Sequence, residues 1–511
     1  PAPVAANWID TADIRVRRES DDLTRWWRVF DDPVLEALIC DAYRQNLTLR
    51  QAGCRVLEAR AQQAVAVGNF LPQSQQANGN YQRFAVSRLV PNRSNVRSPY
   101  FASWTYGFSA AWELDFWGRF RRAVESANDS LDASVEDYDY VLVTLLGDVA
   151  TYYAQMRVVE QRIAYTKANV ELQRQTLRIA EARFKAGTTG ELDVVQARSN
   201  LEQTEAQIPE FEINLRQVNN QLCVLLGIPP EELRARVGPG HILTAPAEVA
   251  AGIQAELLRR RPDVRRAERL AAAQSAQIGV AEAEFYPHIS ITGSLDYAAG
   301  VPLLPPLAAL GQLGPRNGFE GNIGPIFQWN LLNYGRIRNN VRLQDARFQE
   351  LVAAYQGTVL TAAQEVENGL VTFLRAQERA KLQAASVEDA DKAVRLVVAQ
   401  YREGTIDFTR VTQIQLNLVP LLDTLAQARG EIGLGLIQVY RSLGGGWQLR
   451  LTGGETPPPP PPGIPPPPDR TSSPFADLKP AETPPTHPNV EQPTTRERPP
   501  TPGAGASPKP L

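Results

Sequence analysis

The 511-residue chain has one methionine, three histidines and three cysteines. His241, His288 and His487 lie far apart, and a soft-metal pathway uses more of both histidine and methionine than this. Cys40, Cys54 and Cys223 are odd in number and lack ligand spacing. They make neither a disulfide framework nor a zinc site, and are expected to be small buried apolar residues. No metal and no cofactor is expected. No apolar run reaches 18 residues, so no transmembrane helix is expected. Acidic and basic residues are mixed at a net charge of −3, and no basic block points to nucleic acid. Phosphate-loop, zinc-protease and nucleophile-elbow motifs are missing, so no enzyme is expected. The chain starts with Pro1 rather than Met, which points to a removed leader.

What the chain does have is a phrase written twice. "WELDFWGRFRR" (Trp112–Arg122) and "WNLLNYGRIRN" (Trp329–Asn339) align at an offset of 217. "ARFKAGT" (Ala182–Thr188) and "AQYREGT" (Ala399–Thr405) align at the same offset, and "FLPQ" and "FYPH" at 215. A period this long is too large for a solenoid and indicates duplication of a whole unit. The order in each copy is helix, strand, strand, very long helix, turn, helix. The expected divisions are an N-terminal segment (1–33), a first repeat (34–227), a connecting equatorial segment (228–253), a second repeat (254–447) and a tail (448–511).

From Gly118 to Gly187 there is no proline, and none from Gly335 to Gly404. Apolar residues recur there with a 4,3 spacing, as in Leu142, Leu145, Val149, Tyr152, Met156 and Val159. The exceptions are Thr166 and Gln173 in the first copy, and Gly369 and Gln383 in the second. A repeat of 3.5 sustained this far predicts coiled-coil packing. Each such helix would be roughly 100 Å long at 1.5 Å per residue. Residues 34–70 and 191–226 supply shorter helices, two of which match one long helix when stacked.

The strands alternate. Tyr100, Trp104, Tyr106, Phe108, Trp112 and Leu114 share one face of 100–115; Ser103, Thr105, Gly107, Ser109 and Glu113 share the other. His288–Tyr297 and Phe319–Leu331 alternate too, whereas Gln73–Phe84 is poorly patterned. This fits a half-buried sheet in a soluble domain, or a membrane barrel with lipid outside and water inside. Sixteen residues exceeds the usual globular strand, and about 10 tilted residues span a bilayer. Four strands cannot close a barrel, so a barrel needs several chains. The repeated phrase then reads as a strand–helix joint. Trp112 and Trp329 are expected on the outward face, Gly118 and Gly335 at the bend, and Arg119 and Arg336 beyond the apolar band.

Taken jointly, these motifs, with "RFKAGTTGELDVVQAR" (183–198), "LLGIPP" (225–230) and "RRPDVRRAERLAAAQSAQIGVAEAEFYPHISITGS" (260–294), resemble the TolC-like outer-membrane efflux factors of the OprM/NodT lipoprotein branch. The resemblance covers about residues 7–447. It implies a mainly α fold with a membrane β-barrel. Three chains would share one 12-stranded barrel, continued by a long α-helical coiled-coil barrel in the periplasm. It implies a passive exit duct in the outer membrane, in contact with outer-membrane lipid. A periplasmic membrane-fusion adaptor and an inner-membrane pump of the RND type would be its partners. The alternatives are a duct for protein secretion and, in a different class, a soluble coiled-coil scaffold. The branch usually carries a lipidated N-terminal cysteine; "PAPVAANW" holds none, and lipidation stays open.

The resemblance assigns the two turns, "KAGTTG" and "EGTID", to the adaptor-facing tips. Lys185, Gly187, Thr188, Glu403, Gly404 and Thr405 are the contact candidates. Six residues beyond Gly187 stands Asp193, which matches the gate aspartate of the family. The matching positions of the second copy hold Arg410 and Gln413 instead of acids, flanked by Asp407 and Thr409. Asp193 is therefore expected to pair with Arg410 of an adjacent hairpin, with Asp407 competing. The tail is different again: 21 of the 40 prolines lie in the last 55 residues, which cannot build a core.

Overall fold

The computed structural model describes residues 7–19, 22–85, 87, 89, 100–252, 254–301 and 318–451. Apart from 448–451, the proline-rich tail lies outside the described residues. In chain order the elements are β1 (Val16–Arg17), α1 (Pro33–Gln45), α2 (Leu47–Gly68), β2 (Ser74–Ala85), β3 (Tyr100–Glu113), α3 (Arg119–Lys185) and α4 (Glu191–Leu225). Then come a one-turn α5 (Arg234–Val237), β4 (Val249–Ala250), a one-turn α6 (Leu257–Arg260), α7 (Pro262–Ala283), β5 (His288–Val301), β6 (Phe319–Gln328), α8 (Tyr334–Glu403) and α9 (Phe408–Ser442).

The two long helices α3 and α8 contain 67 and 70 residues, as their proline-free heptads require. α3 packs along α2 and α4, and α8 along α7 and α9. The first short helix of 34–70 is not continuous. Asn46 takes an extended backbone (ψ 127°), and its Oδ1 accepts from Leu49 N at 2.8 Å to cap α2. Its Nδ2 donates to Leu225 O at 2.9 Å, so the break ties the α1–α2 junction to the end of α4 within the same repeat.

Burial follows the heptads. Leu142, Leu145, Val149, Met156 and Val159 are buried on α3, and Val359, Ala362, Val366 and Phe373 on α8. Of the exceptions, Gly369 has a packing cause. A Cβ there would stand 2.9 Å from Val439 Cγ2, and one at Gly435 would stand 2.9 Å from Phe373 N. α8 and α9 approach closely at these two points because neither glycine carries a side chain. Thr166 and Gln173 are buried in a polar stretch of α3 that also holds Asn169 and Thr176. Thr176 accepts from Gln415 Nε2 at 2.8 Å. This stretch separates a large apolar core from a small one at the tips. Two of the cysteines depart from expectation. Cys223 is buried, but Cys40 is half-buried and Cys54 exposed, because Cys54 faces away from α3 on α2.

The large core is equatorial. The N-terminal segment joins it through Trp8, Trp26 and Trp27, and β1 pairs in parallel with β4 of the connecting segment. Arg157 of α3 is 2% exposed. Its guanidinium donates to Tyr153 Oη, to Glu160 Oε2 (2.8 Å), and to the carbonyls of Gly238 (2.9 Å) and Val237 (3.1 Å). Gly240 lies so close to it that a Cβ would fall 2.4 Å from Cζ. Tyr153 Oη in turn donates to Asp32 Oδ2 at 2.7 Å, and burial pushes its phenol well above the usual range.

The sheet is antiparallel in the order β2-β3-β5-β6, two hairpins joined through β3 and β5. The register explains the poorly patterned first strand. Tyr81 and Ala77 pair with Trp104 and Phe108, whereas Asn78 and Gln76 pair with Gly107 and Ser109. One face thus carries Tyr81, Trp104, Tyr106, Phe108, Trp112, Ile291, Leu295, Tyr297, Ile323 and Phe327. The other carries Asn78, Ser109, Ser294, Asn322, Asp296 and Glu320. There Asn78 Nδ2 donates to Ser109 Oγ and Asn322 Nδ2 to Ser294 Oγ, each at 3.1 Å.

Candidate functional site

Three surfaces carry the sequence-derived candidates: the sheet, the joints and the tips. Phe108 is 69% exposed, Ile323 83% and Phe327 75%. They belong to one continuous apolar face, which water does not tolerate over such an area. Among the described residues, β2 and β6 each pair on one side only, so both sheet edges are open.

At the joints, the repeated tryptophans do equivalent things. Trp112 Nε1 donates to Phe70 O (3.2 Å) and Trp329 Nε1 to Phe285 O (3.0 Å), each closing the helix–strand corner of its own repeat. Trp329 does so from just past β6, which ends at Gln328 rather than at Leu331. Gly118 bends as expected, at φ 80°. Gly335 does not. It lies inside the first turn of α8, and Asn333 (φ −102°) precedes that helix. The reason lies at position 115: Asp115 accepts from the amides of Phe120 and Arg121, both at 3.0 Å, and so caps α3 across the bend. The second copy has Leu332 there and starts its helix earlier. Arg119 reaches Glu113 (3.2 Å) and Glu284 (3.5 Å), and His288 Nδ1 lies 2.8 Å from the same Glu113. Arg336 is exposed.

The tips are the most regular part. Gly187 (φ 70°) and Gly404 (φ 81°) both take the left-handed conformation. Gly187 N donates to Phe184 O and Thr188 N to Arg183 O; Gly404 N donates to Tyr401 O and Thr405 N to Gln400 O. Each is a glycine-ended helix stop with a six-residue and a four-residue closure. Thr188 and Thr405 add hydroxyl bonds of 3.0 Å to the same carbonyls. Lys185, Gly187, Thr188, Glu403, Gly404 and Thr405 are all exposed.

Behind the tips, the expected gate residues separate. Asp193 sits in the first turn of α4, where the helix dipole favours a carboxylate. Its Oδ2 accepts from Thr189 Oγ1 and from Tyr401 Oη (3.2 Å) of the other hairpin. Arg410 is exposed and makes no ion pair with a described residue, so the Asp193–Arg410 pair does not form within one chain. Asp407 is the residue before α9 and gives its backbone carbonyl to Arg410 N; Thr409 and Gln413 are exposed. Sequence reading missed Arg183 and Tyr401. Arg183 donates to Tyr401 O and lies 4.6 Å from the Tyr401 ring centre, placing a cation at the C-terminal end of α8. Burial, with a contribution from Asp193, raises the Tyr401 phenol above its ordinary value, so it stays a neutral donor. The signal was available: an aromatic stands three residues before both tip glycines, yet Tyr401 is 1% exposed and Phe184 is 44% exposed.

The pattern of one known family, described as outer membrane efflux protein, matches residues 38–228 and 254–445, the two repeats. The pyoverdine export outer membrane protein OpmQ of Pseudomonas aeruginosa is 30% identical over 435 residues, covering 84% of this chain and 89% of its own. The solvent efflux pump outer membrane protein SrpC of Pseudomonas putida is 30% identical over 426 residues, 82% of this chain and 87% of its own. The solved structure of the outer-membrane channel OprN superposes with a TM-score of 0.80 at 31% identity, covering 88% of this chain and 98% of that one.

Proposed function

This chain belongs to the outer membrane efflux protein family, and from that premise we propose that it is the passive exit duct of a tripartite pump that exports small molecules. It is an outer-membrane efflux channel with a large periplasmic portion. The water-soluble scaffold reading falls with that membership. The finer reading has three chains closing one 12-stranded barrel. An adaptor at the tips and an inner-membrane pump supply the energy. No reaction is assigned to the chain. The observation that carries this reading is the open-edged four-stranded sheet with one apolar and one polar face, continued by helices of about 100 Å. Small-molecule cargo is favoured over protein because OpmQ and SrpC are named for pyoverdine and solvent export. Co-expression with its own pump and adaptor, in a strain lacking its outer-membrane factor, should lower accumulation of a fluorescent pump substrate. Unchanged accumulation, with the channel present in the membrane, refutes the role.

The tips are proposed to meet the adaptor, and the gate to close between neighbouring chains. Asp193 Oδ1 takes no hydrogen bond from a described residue, and Arg410 presents its donors to solvent. Paired across the chain boundary, these two groups would form a latch worth about 0–1 kcal/mol per copy, weak enough for an adaptor to open. Arg410→Ala is expected to raise single-channel conductance and vancomycin sensitivity. Conductance equal to wild type rejects the latch.

A further inference from the structure

We infer that the joint between β3 and α3 is a binding site for one phospholipid headgroup carrying both a phosphate and a primary ammonium. The inference rests on the outer-membrane reading. A cavity of about 870 Å³ opens between the start of α3 and the end of α7, lined by Phe116, Trp117, Arg121, Arg122, Glu125 and Tyr286. Phe116, Trp117 and Tyr286 are 57%, 47% and 48% exposed, large aromatics turned to the outside of the fold. They are held in place. Trp117 stacks on Tyr286 at 4.6 Å between ring centres, and its Nε1 donates to Pro287 O at 2.9 Å. Phe285, also in the lining, gives its carbonyl to Trp329, so the cavity adjoins the lower rim of the apolar sheet face. Amphipathic rings at that level belong at the boundary between acyl chains and headgroups.

The polar lining has both signs. Arg121 spends Nε and Nη2 on Asp115, and Arg122 spends Nη1 on Glu125. Arginine has five donors, so Arg121 Nη1 and Arg122 Nε and Nη2 remain for a phosphate. The stem of Arg122 rests on Gly279, where a Cβ would lie 3.0 Å from its Cγ; the glycine lets the guanidinium reach the cavity. Glu282 also lines the cavity and is exposed; its backbone carbonyl accepts from Phe285 N, but its carboxylate accepts no hydrogen bond from a described residue. Glu125 and Glu282 can take an ammonium. An anionic glycerol headgroup would meet these carboxylates unfavourably, and a choline headgroup has no N–H to give them. Asp115 does not compete, because its oxygens hold the α3 amides and Arg121. The second joint has Asn339 for Arg122 and Leu332 for Asp115, so one site per chain is assigned.

The test is native mass spectrometry of the full chain released from nanodiscs made with ethanolamine, glycerol or choline phospholipids. One tightly retained lipid per chain is expected, with ethanolamine preferred by about tenfold, the worth of one charge-assisted hydrogen bond. Arg122→Gln with Trp117→Ala should remove that retention. If this pair fails to assemble, Glu282→Gln, a single exposed change, should abolish the preference of ethanolamine over choline. Equal retention of all three headgroups, or retention unchanged in the variants, overturns the site. Failure of the wild-type chain to insert into nanodiscs strikes the channel reading instead, so the two failures are distinguishable.

Discussion

Phe108→Arg is expected to abolish assembly in the outer membrane, while Ser109→Arg, one residue away, is expected to be tolerated. The two side chains point to opposite faces of β3, Phe108 among Ala77 and Leu295, Ser109 between Gln76 and Ser294. An arginine at the middle of the lipid face costs about 2–4 kcal/mol per chain, and three chains in one barrel bring the total to about 6–12 kcal/mol. On the water face the same arginine is solvated and only narrows the duct. The measurement is heat-modifiable mobility of membrane-extracted protein, with conductance of whatever assembles. Phe108→Arg should give no folded band; Ser109→Arg should give a folded band and reduced conductance. Equal behaviour of the two variants contradicts the assignment of faces.

The second large effect is equatorial. Arg157→Ala is expected to destabilise each chain by about 3–5 kcal/mol, the range for removing one partner from a buried charged network. The substitution takes donors from Tyr153, Glu160 and two carbonyls at once and leaves a void under Gly240. Those carbonyls belong to the connecting segment, so the loss uncouples α3 from the strap that joins the repeats. Glu160→Gln is the control: its carboxylate is 20% exposed and gives Arg157 only one of its partners. It should cost no more than about 1–3 kcal/mol, the range for a hydrogen bond to a charged group. Thermal unfolding of the detergent-solubilised protein compares them. A midpoint for Arg157→Ala no lower than that of Glu160→Gln refutes the network.

Much of this architecture was legible because it was written twice. The offset of 217 placed both long helices, both tips and both joints, and the tip glycines behave alike at Gly187 and Gly404. Repetition misled where neighbouring residues differ. Gly118 bends and Gly335 does not, because Asp115 has no counterpart. Asn46 broke a helix that periodicity ran through, since a capping side chain leaves the apolar spacing intact. β2 looked unpatterned because small residues such as Ala77 and Gly79 stand opposite the bulky side chains of β3; only the register shows its faces. The surroundings of the proposed gate residues were the least legible part. The family resemblance pointed to Asp193, but its partner Tyr401 comes from the other hairpin, 208 residues away, and local pattern contains no such distance.

In the proposed assembly the alternating strands of three copies face hydrocarbon together and close one barrel above the helices. Mass measurement of the purified full chain in detergent micelles tests it most directly. A single particle of three chains, stable only with surfactant present, is expected. A monodisperse single chain in surfactant-free buffer would contradict it.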